Sequence, residues 1–320
     1  MPKVIKRAKK KIVKKVIKKE KKVVLQSPKG MHDVLPQDQP WWNKIRKATD
    51  EVADFYNFSR IETPILENSA VFEKGTGGNT DIVEKEMFVL KTKGGDKLAL
   101  RPENTPGIMR AYVEHGLSRL AQPLKLYSFG PFFRYERPQA GRYRQFYQIG
   151  FEIIGGDDDP LYDAQTISIA YQIVQELKIK NIIIQINSIG CKSCRSAYRR
   201  RLQDYYRRYE SKICKDCRRR LTVNPLRLLD CKNEICLEIK SGAPMTVNHL
   251  CQVCKSHFKS VLEYLDEINA PYTLTPYLVR GLDYYNRTVF ELADENNLSF
   301  ALGGGGRYDY LGEMMGLRKN

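Results

Sequence analysis

The sequence predicts an α+β fold: a mainly antiparallel sheet flanked by helices and interrupted by an inserted, Cys-rich, mainly helical domain. Three features lead there. Two pairs of strand-like segments stand back to back across polar breaks, as hairpins do and alternating parallel units do not. All eight cysteines of the 320-residue chain fall between Cys191 and Cys254, in an arginine-rich block unlike its surroundings. Strand-like alternation then resumes. The chain divides into a basic tail (1–26), a first core part (27–187), an inserted Cys/Arg-rich domain (188–262) and a second core part (263–320).

A chain of this length with 42% hydrophobic residues can bury a sizeable core in two or three units. It has no run of 18 apolar residues, and its N-terminus is a lysine comb rather than a signal peptide's apolar core, so a cytoplasmic setting is expected. Residues 1–24 hold twelve Lys or Arg against the single Glu20, and supply +11 of the net charge of +17. Such an arm can neutralise phosphates on RNA or ribosomal surfaces, or stay solvated and disordered. Ile5, Ile12, Val13, Val16 and Ile17 lie at roughly helical spacing, which leaves open an amphipathic helix formed on contact with RNA or an acidic membrane surface.

SPKGMHDVLPQDQPWW reads as an ordered lead-in, and Trp41 to Tyr56 carries apolar residues at helical spacing. EMFVLKTKGGDKLAL (86–100) reads as two strands about a Lys-Gly-Gly turn, where glycine supplies positive backbone angles. Thr105 is expected to cap a helix with Pro106 in its first turn and Gly116 as its stop. SFGPFFRYE and RQFYQIGFEIIG form a second hairpin around the basic loop RPQAGRY. A helix follows with Ile167, Ala170, Tyr171, Val174 and Leu177 on one face, then IIIQI as a buried strand. Beyond the insert, YTLTPYLVRGLDYYNRTVFELAD reads as strand, with Tyr284 and Tyr285 inside it, and LSFALGGGGRYDYL as a strand running into a glycine loop.

In the second hairpin, alternation puts Arg134 with Glu136 on one face, and Gln148 with Glu152 on one face of the returning strand. Ion pairs on a solvated sheet would explain the spacing alone. The residues carry more than spacing. FRYE followed by GRYRQFYQIGFE resembles motif 2 of class II aminoacyl-tRNA synthetases, in the form typical of the histidyl-tRNA synthetase family. LALRPENTP resembles that family's LRPE-x-T segment, RGLDYYNRTVFE (280–291) its histidine-specific segment and GGGGRYDYL its glycine-rich one. IETPIL is a short likeness to motif 1, which in the family builds the dimer interface.

The resemblance spans about 27–320. It implies a class II sheet and a histidine–tRNA ligase that forms histidyl-adenylate from histidine and ATP with Mg²⁺, transfers it to tRNA(His), and works as a homodimer. Arg134 and Arg280 are implied as catalytic, Arg134, Glu136 and Phe146 as ATP contacts, and Arg137 and Gln139 as tRNA contacts. Glu103, Thr105, Gln148, Glu152, Tyr284, Tyr285 and Tyr308 are implied around the histidine. The chemistry suits these residue types: a guanidinium offers a planar fork to phosphate oxygens, a carboxylate faces an ammonium, and small residues let backbone approach substrate. By the same resemblance motif 3 and an anticodon-binding domain would follow Asn320, so the chain reads as C-terminally truncated.

Cys191/Cys194, Cys214/Cys217 and Cys251/Cys254 are CxxC pairs, and Cys231/Cys236 has four residues between. Eight thiols suit two tetrahedral zinc sites that tie down a module too arginine-rich to build its own core; unbound structural thiols and redox use stay open. Arg199 to Arg201, Arg207, Arg208 and Arg218 to Arg220 could grip the tRNA acceptor arm or form solvated helix faces. Two rival readings are the regulatory, synthetase-like subunit of ATP phosphoribosyltransferase in histidine biosynthesis, and a non-catalytic RNA-binding protein. Intact RGLDYY and LRPE-x-T segments speak for the enzyme.

Overall fold

A computed structural model describes residues 25–317 apart from Asn79 and Ala140. The expectations for the basic tail fall almost wholly on residues 1–24, which lie outside the described residues.

Helix α1 (Gln39–Phe55) buries Ala48, Thr49, Val52 and Ala53 and leaves Trp41 exposed. Strands β1 (Ser59–Arg60) and β2 (Leu66–Asn68) flank the motif 1-like segment. Helix α2 (Ser69–Thr76) starts where the Asn68 side chain accepts from the Ala70 amide. The first expected hairpin forms as β3 (Val89–Lys91) and β4 (Lys97–Leu100), with β4 also pairing β2. In α3 (Thr105–Glu114) the cap position belongs to Asn104, not Thr105: Thr105 is the first helical residue, and its hydroxyl donates to Glu152 instead. Gly116, at φ +62°, ends the helix as expected.

The second hairpin is β5 (Leu124–Phe133) with β6 (Gln145–Ile154), antiparallel over their full length, while β1 pairs parallel to β5. The strand stops at Phe133, short of the expected FRYE, because the Tyr135 amide turns away to the Glu86 carbonyl. The face shared by Arg134 and Glu136 therefore does not exist. Helix α4 (Pro160–Glu176) is buried on two sides. Ile167, Ala170 and Val174 pack with Ile184, Ile186 and Phe290, whereas Ile169, Ile173 and Leu177 pack with Val52, Phe58 and Tyr127. Leu177 was expected on the first face; it belongs to the second. A helix wedged between two apolar surfaces gains burial on both, at about 1.5–3 kcal/mol for each fully buried aliphatic side chain.

Strand β7 (Ile182–Ser188) leads into the insert, which holds α5 (Lys192–Arg207), α6 (Lys215–Val223), α7 (Glu234–Ser241) and the start of α8 (Gln252–Glu267). The insert does have an apolar core, contrary to its composition: Tyr198, Leu202, Tyr206 and Leu228 are at most 1% exposed and continue into the main core through Tyr284 and Met109. Most of its charge sits on exposed helix faces, while Arg195, Arg220 and Arg227 turn inward to partners on the main core. Helix α8 runs unbroken past 262 and packs Val261 and Leu265 against the core.

Strand β8 (Tyr272–Leu274) pairs parallel to β7, and β9 (Asn286–Asp294) and β10 (Asn297–Arg307) complete the sheet β10-β9-β7-β8; α9 (Leu311–Met314) follows. Two expectations change here. Tyr284 and Tyr285 lie in a loop before β9, and Gly303 to Gly306 are strand, opposite Leu292, Glu291, Phe290 and Val289. A Cβ at Gly304 would meet the Phe290 carbonyl at 2.5 Å and an Arg280 nitrogen at 2.9 Å. Gly304→Ala is thus expected to lower unfolding free energy by about 1–3 kcal/mol in a denaturant titration; an unchanged midpoint would mean that the strands give way.

Candidate active site

A cavity of about 1350 Å³ opens between the β5–β6 hairpin, α4 and the β9–β10 pair. Its wall holds Glu103, Thr105, Arg134, Phe146, Gln148, Glu152, Arg280, Tyr284, Tyr285 and Tyr308, ten of the candidate residues, drawn from segments more than two hundred positions apart. Glu136, Arg137 and Gln139 are not among its lining. Glu136 pairs with Arg142 at 3.6 Å, and Arg137 and Gln139 are exposed in the hairpin loop.

Glu103 is 5% exposed and sits on a turn lashed in place by its neighbours. Arg101 donates to the carbonyls of Thr63 and Pro131 at 2.8 and 2.9 Å, and Asn104 bridges Thr63 and Ser128, both at 2.7 Å. The Glu103 carboxylate accepts from the hydroxyls of Tyr284 at 2.6 Å and Thr76 at 2.9 Å. Burial pushes its pKa up, while those hydroxyls, Arg134 and Arg280 favour the charged form.

Glu152 repeats the pattern on β6, accepting from Thr105 at 2.7 Å and from Tyr308. Burial pushes it from its ordinary 4.5 up to about 7, against those two hydrogen bonds. Between these values the folded chain keeps a proton that the unfolded chain has released, so stability falls as pH rises from 4.5 to 7 and levels off above. Thermal midpoints of Glu152→Gln should fall less steeply over that window. A slope as steep as the parent's would mean that the carboxyl is already ionised.

The Arg134 guanidinium lies 5.2 Å from the Phe146 ring centre and donates to the Pro102 carbonyl at 3.0 Å. Arg280 pairs with Glu291, and its buried Nε has no partner. Tyr284 stacks tilted on Tyr285 at 4.5 Å and edge-on to Tyr308 at 6.0 Å. Thr76 and Glu291 escaped the sequence reading. Glu291 closes the RGLDYYNRTVFE segment, so its position was a usable signal; Thr76 had none, since only folding brings it to Glu103.

Behind these side chains lies a charged cluster also absent from the sequence reading. Arg307 pairs with Asp309 at 2.6 Å, Asp158 at 2.7 Å and Asp163 at 3.2 Å. His257, from α8, lies 3.7 Å from Asp163 and is pushed down to about 4 by burial, Arg307 and Arg287. It is neutral at pH 7, and the cluster holds α4, α8 and β10 together.

This site and sheet are those of a class II aminoacyl-tRNA synthetase core: the fold matches histidyl-tRNA synthetase from S. aureus with a TM-score of 0.73 and 35% identity, over 91% of this chain and 68% of that one. The sequence model of histidyl-tRNA synthetase matches residues 30–193. The histidine–tRNA ligases of Dehalococcoides mccartyi strain 195 and Desulforudis audaxviator are each 46% identical, over 91% and 92% of this chain and 70% of their own length. The chain belongs to the histidyl-tRNA synthetase family, and so to the ligases. A Bacillus halodurans structure described as ATP phosphoribosyltransferase regulatory subunit/histidyl-tRNA synthetase matches at 24% identity and TM-score 0.67, which is a likeness of fold. No described helix is long and apolar enough to cross a membrane.

Proposed function

We propose that this cavity binds histidine and ATP and joins them as histidyl-adenylate for transfer to tRNA(His). The observation carrying this is the pair of buried carboxylates, each receiving two hydroxyls, in one cavity with two arginines. Glu103, with Thr105 and Gln148, faces the histidine ammonium. Glu152, Tyr308, Tyr284 and Tyr285 surround the imidazole, whose one donor and one acceptor match a carboxyl–phenol pair and no aliphatic side chain. Phe146 stacks on adenine.

A histidine carboxylate oxygen attacks the α-phosphorus, the bond to the bridging oxygen breaks, and pyrophosphate leaves. Arg134 and Arg280 receive the charge that builds on the α-phosphate, Arg280 by releasing Glu291 or by its free Nε. Mg²⁺ enters with ATP, and Glu136, outside the cavity wall and paired with Arg142, meets the nucleotide from the hairpin loop. Arg137 and Gln139, exposed on the hairpin loop, meet the tRNA acceptor end. Ile65 and Leu66, each 44% exposed at the end of the motif 1-like segment, suit a second copy of this chain. A cytoplasmic setting and zinc on the eight cysteines belong to the same reading. Of the arginines considered for RNA, Arg207, Arg219 and Arg220 are paired with Asp204, Glu84 and Asp81, and Arg199 and Arg218 donate to backbone carbonyls, which favours the exposed Arg200, Arg201 and Arg208 for that role.

The test is calorimetric binding of each amino acid, followed by ATP–pyrophosphate exchange. Histidine alone should bind and drive exchange. Equal binding of other amino acids, or of none, would sink the proposal.

A further inference from the structure

The eight cysteines fall into two groups, one nested inside the other along the chain. Cys191, Cys194, Cys251 and Cys254 form the outer; Cys214, Cys217, Cys231 and Cys236 form the inner. Within each group all four sulfurs lie within 4.8 Å of one another. Cys191 and Cys194 are 3.6 Å apart and Cys214 and Cys231 3.8 Å, against an edge of about 3.8 Å for a tetrahedron with Zn–S bonds of about 2.3 Å. Backbone N–H groups already point at sulfur: Cys251 donates to Cys194 at 3.0 Å and Cys214 to Cys236 at 3.3 Å, bonds that suit thiolates.

We propose that both groups bind zinc and that the insert they fold is a brace for the amino-acid pocket. The outer group ties the entry of the insert, at α5, to its exit, at α8. The inner group ties α6 to α7 across the turn at 225–230. Each also sets the helix that grips the RGLDYY loop. Arg195, next to Cys194, donates to the Tyr285 carbonyl at 2.8 Å. Asn224, just past α6, donates to Asp283 at 2.7 Å, and the Asp283 amide in turn donates to the Thr76 carbonyl at 3.1 Å.

Arg220 and Arg227 of the same stretch converge on Asp81 at 2.9 and 2.7 Å. Thr76 and Tyr284 are the two hydroxyl donors to Glu103. The helix carrying the outer group thus acts on the carboxylate through two hydrogen bonds and the segment after the inner group through three, too remote to touch substrate and near enough to set where the carboxylate's partners stand. These are positioning residues, and their effect on ligand rests on the histidine reading above.

Elemental analysis of chain purified without added metal should find two zinc ions per chain. Chelation should speed hydrogen exchange of the 281–286 amides while those of β5–β6 stay protected. Asn224→Ala and Arg195→Ala should keep both zinc ions and weaken histidine binding about five-fold each, the size of a single lost hydrogen bond. Zinc-free chain, iron in its place, or exchange at 281–286 indifferent to chelation would overturn the brace. Unaltered histidine binding in both variants would overturn it too. If the unaltered chain binds no histidine, the histidine reading fails, and metal content and exchange still decide the brace.

Discussion

Arg280→Ala is expected to cut histidine-dependent ATP–pyrophosphate exchange by about 10²–10³-fold in kcat/KM while leaving histidine affinity within a few-fold. Arg280 is largely enclosed, its side chain 20% exposed, and among the described residues its charge is ion-paired with Glu291. In that setting a guanidinium stabilises negative charge developing on phosphate far better than water could. Removing it also strands Glu291, so Arg280→Ala should be read beside Arg280→Lys, which keeps charge and loses the fork. Lysine should recover part of the rate and not all. If both variants exchange at the parent's rate, Arg280 plays no part in the chemistry and is a structural partner of Glu291.

Glu103→Gln should weaken histidine binding by about 100-fold, the scale on which breaking one side of a buried charge pair acts. The amide fills the same space and still accepts from Tyr284 or Thr76, so the fold should survive; what disappears is the charge opposite the ammonium. Calorimetry of histidine, and of histidinol and imidazole as fragments, separates the roles. Imidazole affinity should hardly change, whereas the two ammonium-bearing ligands should lose alike. Loss on imidazole instead would move Glu103 to the ring side of the pocket and leave Glu152 as the ammonium receptor.

The two carboxylates have similar surroundings and different neighbours. Each is buried and each accepts two hydroxyls, yet Glu103 has two guanidiniums acting on it and Glu152 has the charge of Glu103. Glu152 is therefore the better proton holder near neutral pH. That suits the side of the pocket where a neutral imidazole exchanges a donor for an acceptor.

The sequence by itself determined the fold class, the two hairpins, the helices at α3 and α4, and the identity of ten cavity residues. Each is written locally, in turn glycines, in apolar periodicity or in short contiguous motifs. Only the tertiary structure decided what those residues touch. Thr105 reads as a cap until α3 meets β6 and its hydroxyl reaches Glu152. Glycines 303 to 306 read as a loop because glycine alone is a poor strand former; here they pair with β9 as strand, and at Gly304 and Gly306 the Phe290 and Thr288 carbonyls come too close for any Cβ. The insert reads as too polar for a core, since composition cannot say that Tyr198, Leu202 and Tyr206 share one helix face with a partner surface waiting for it. Likewise the four cysteine pairs were legible, and their grouping was not: which pairs share a site depends on how α5 and α8, far apart in sequence, come to start side by side.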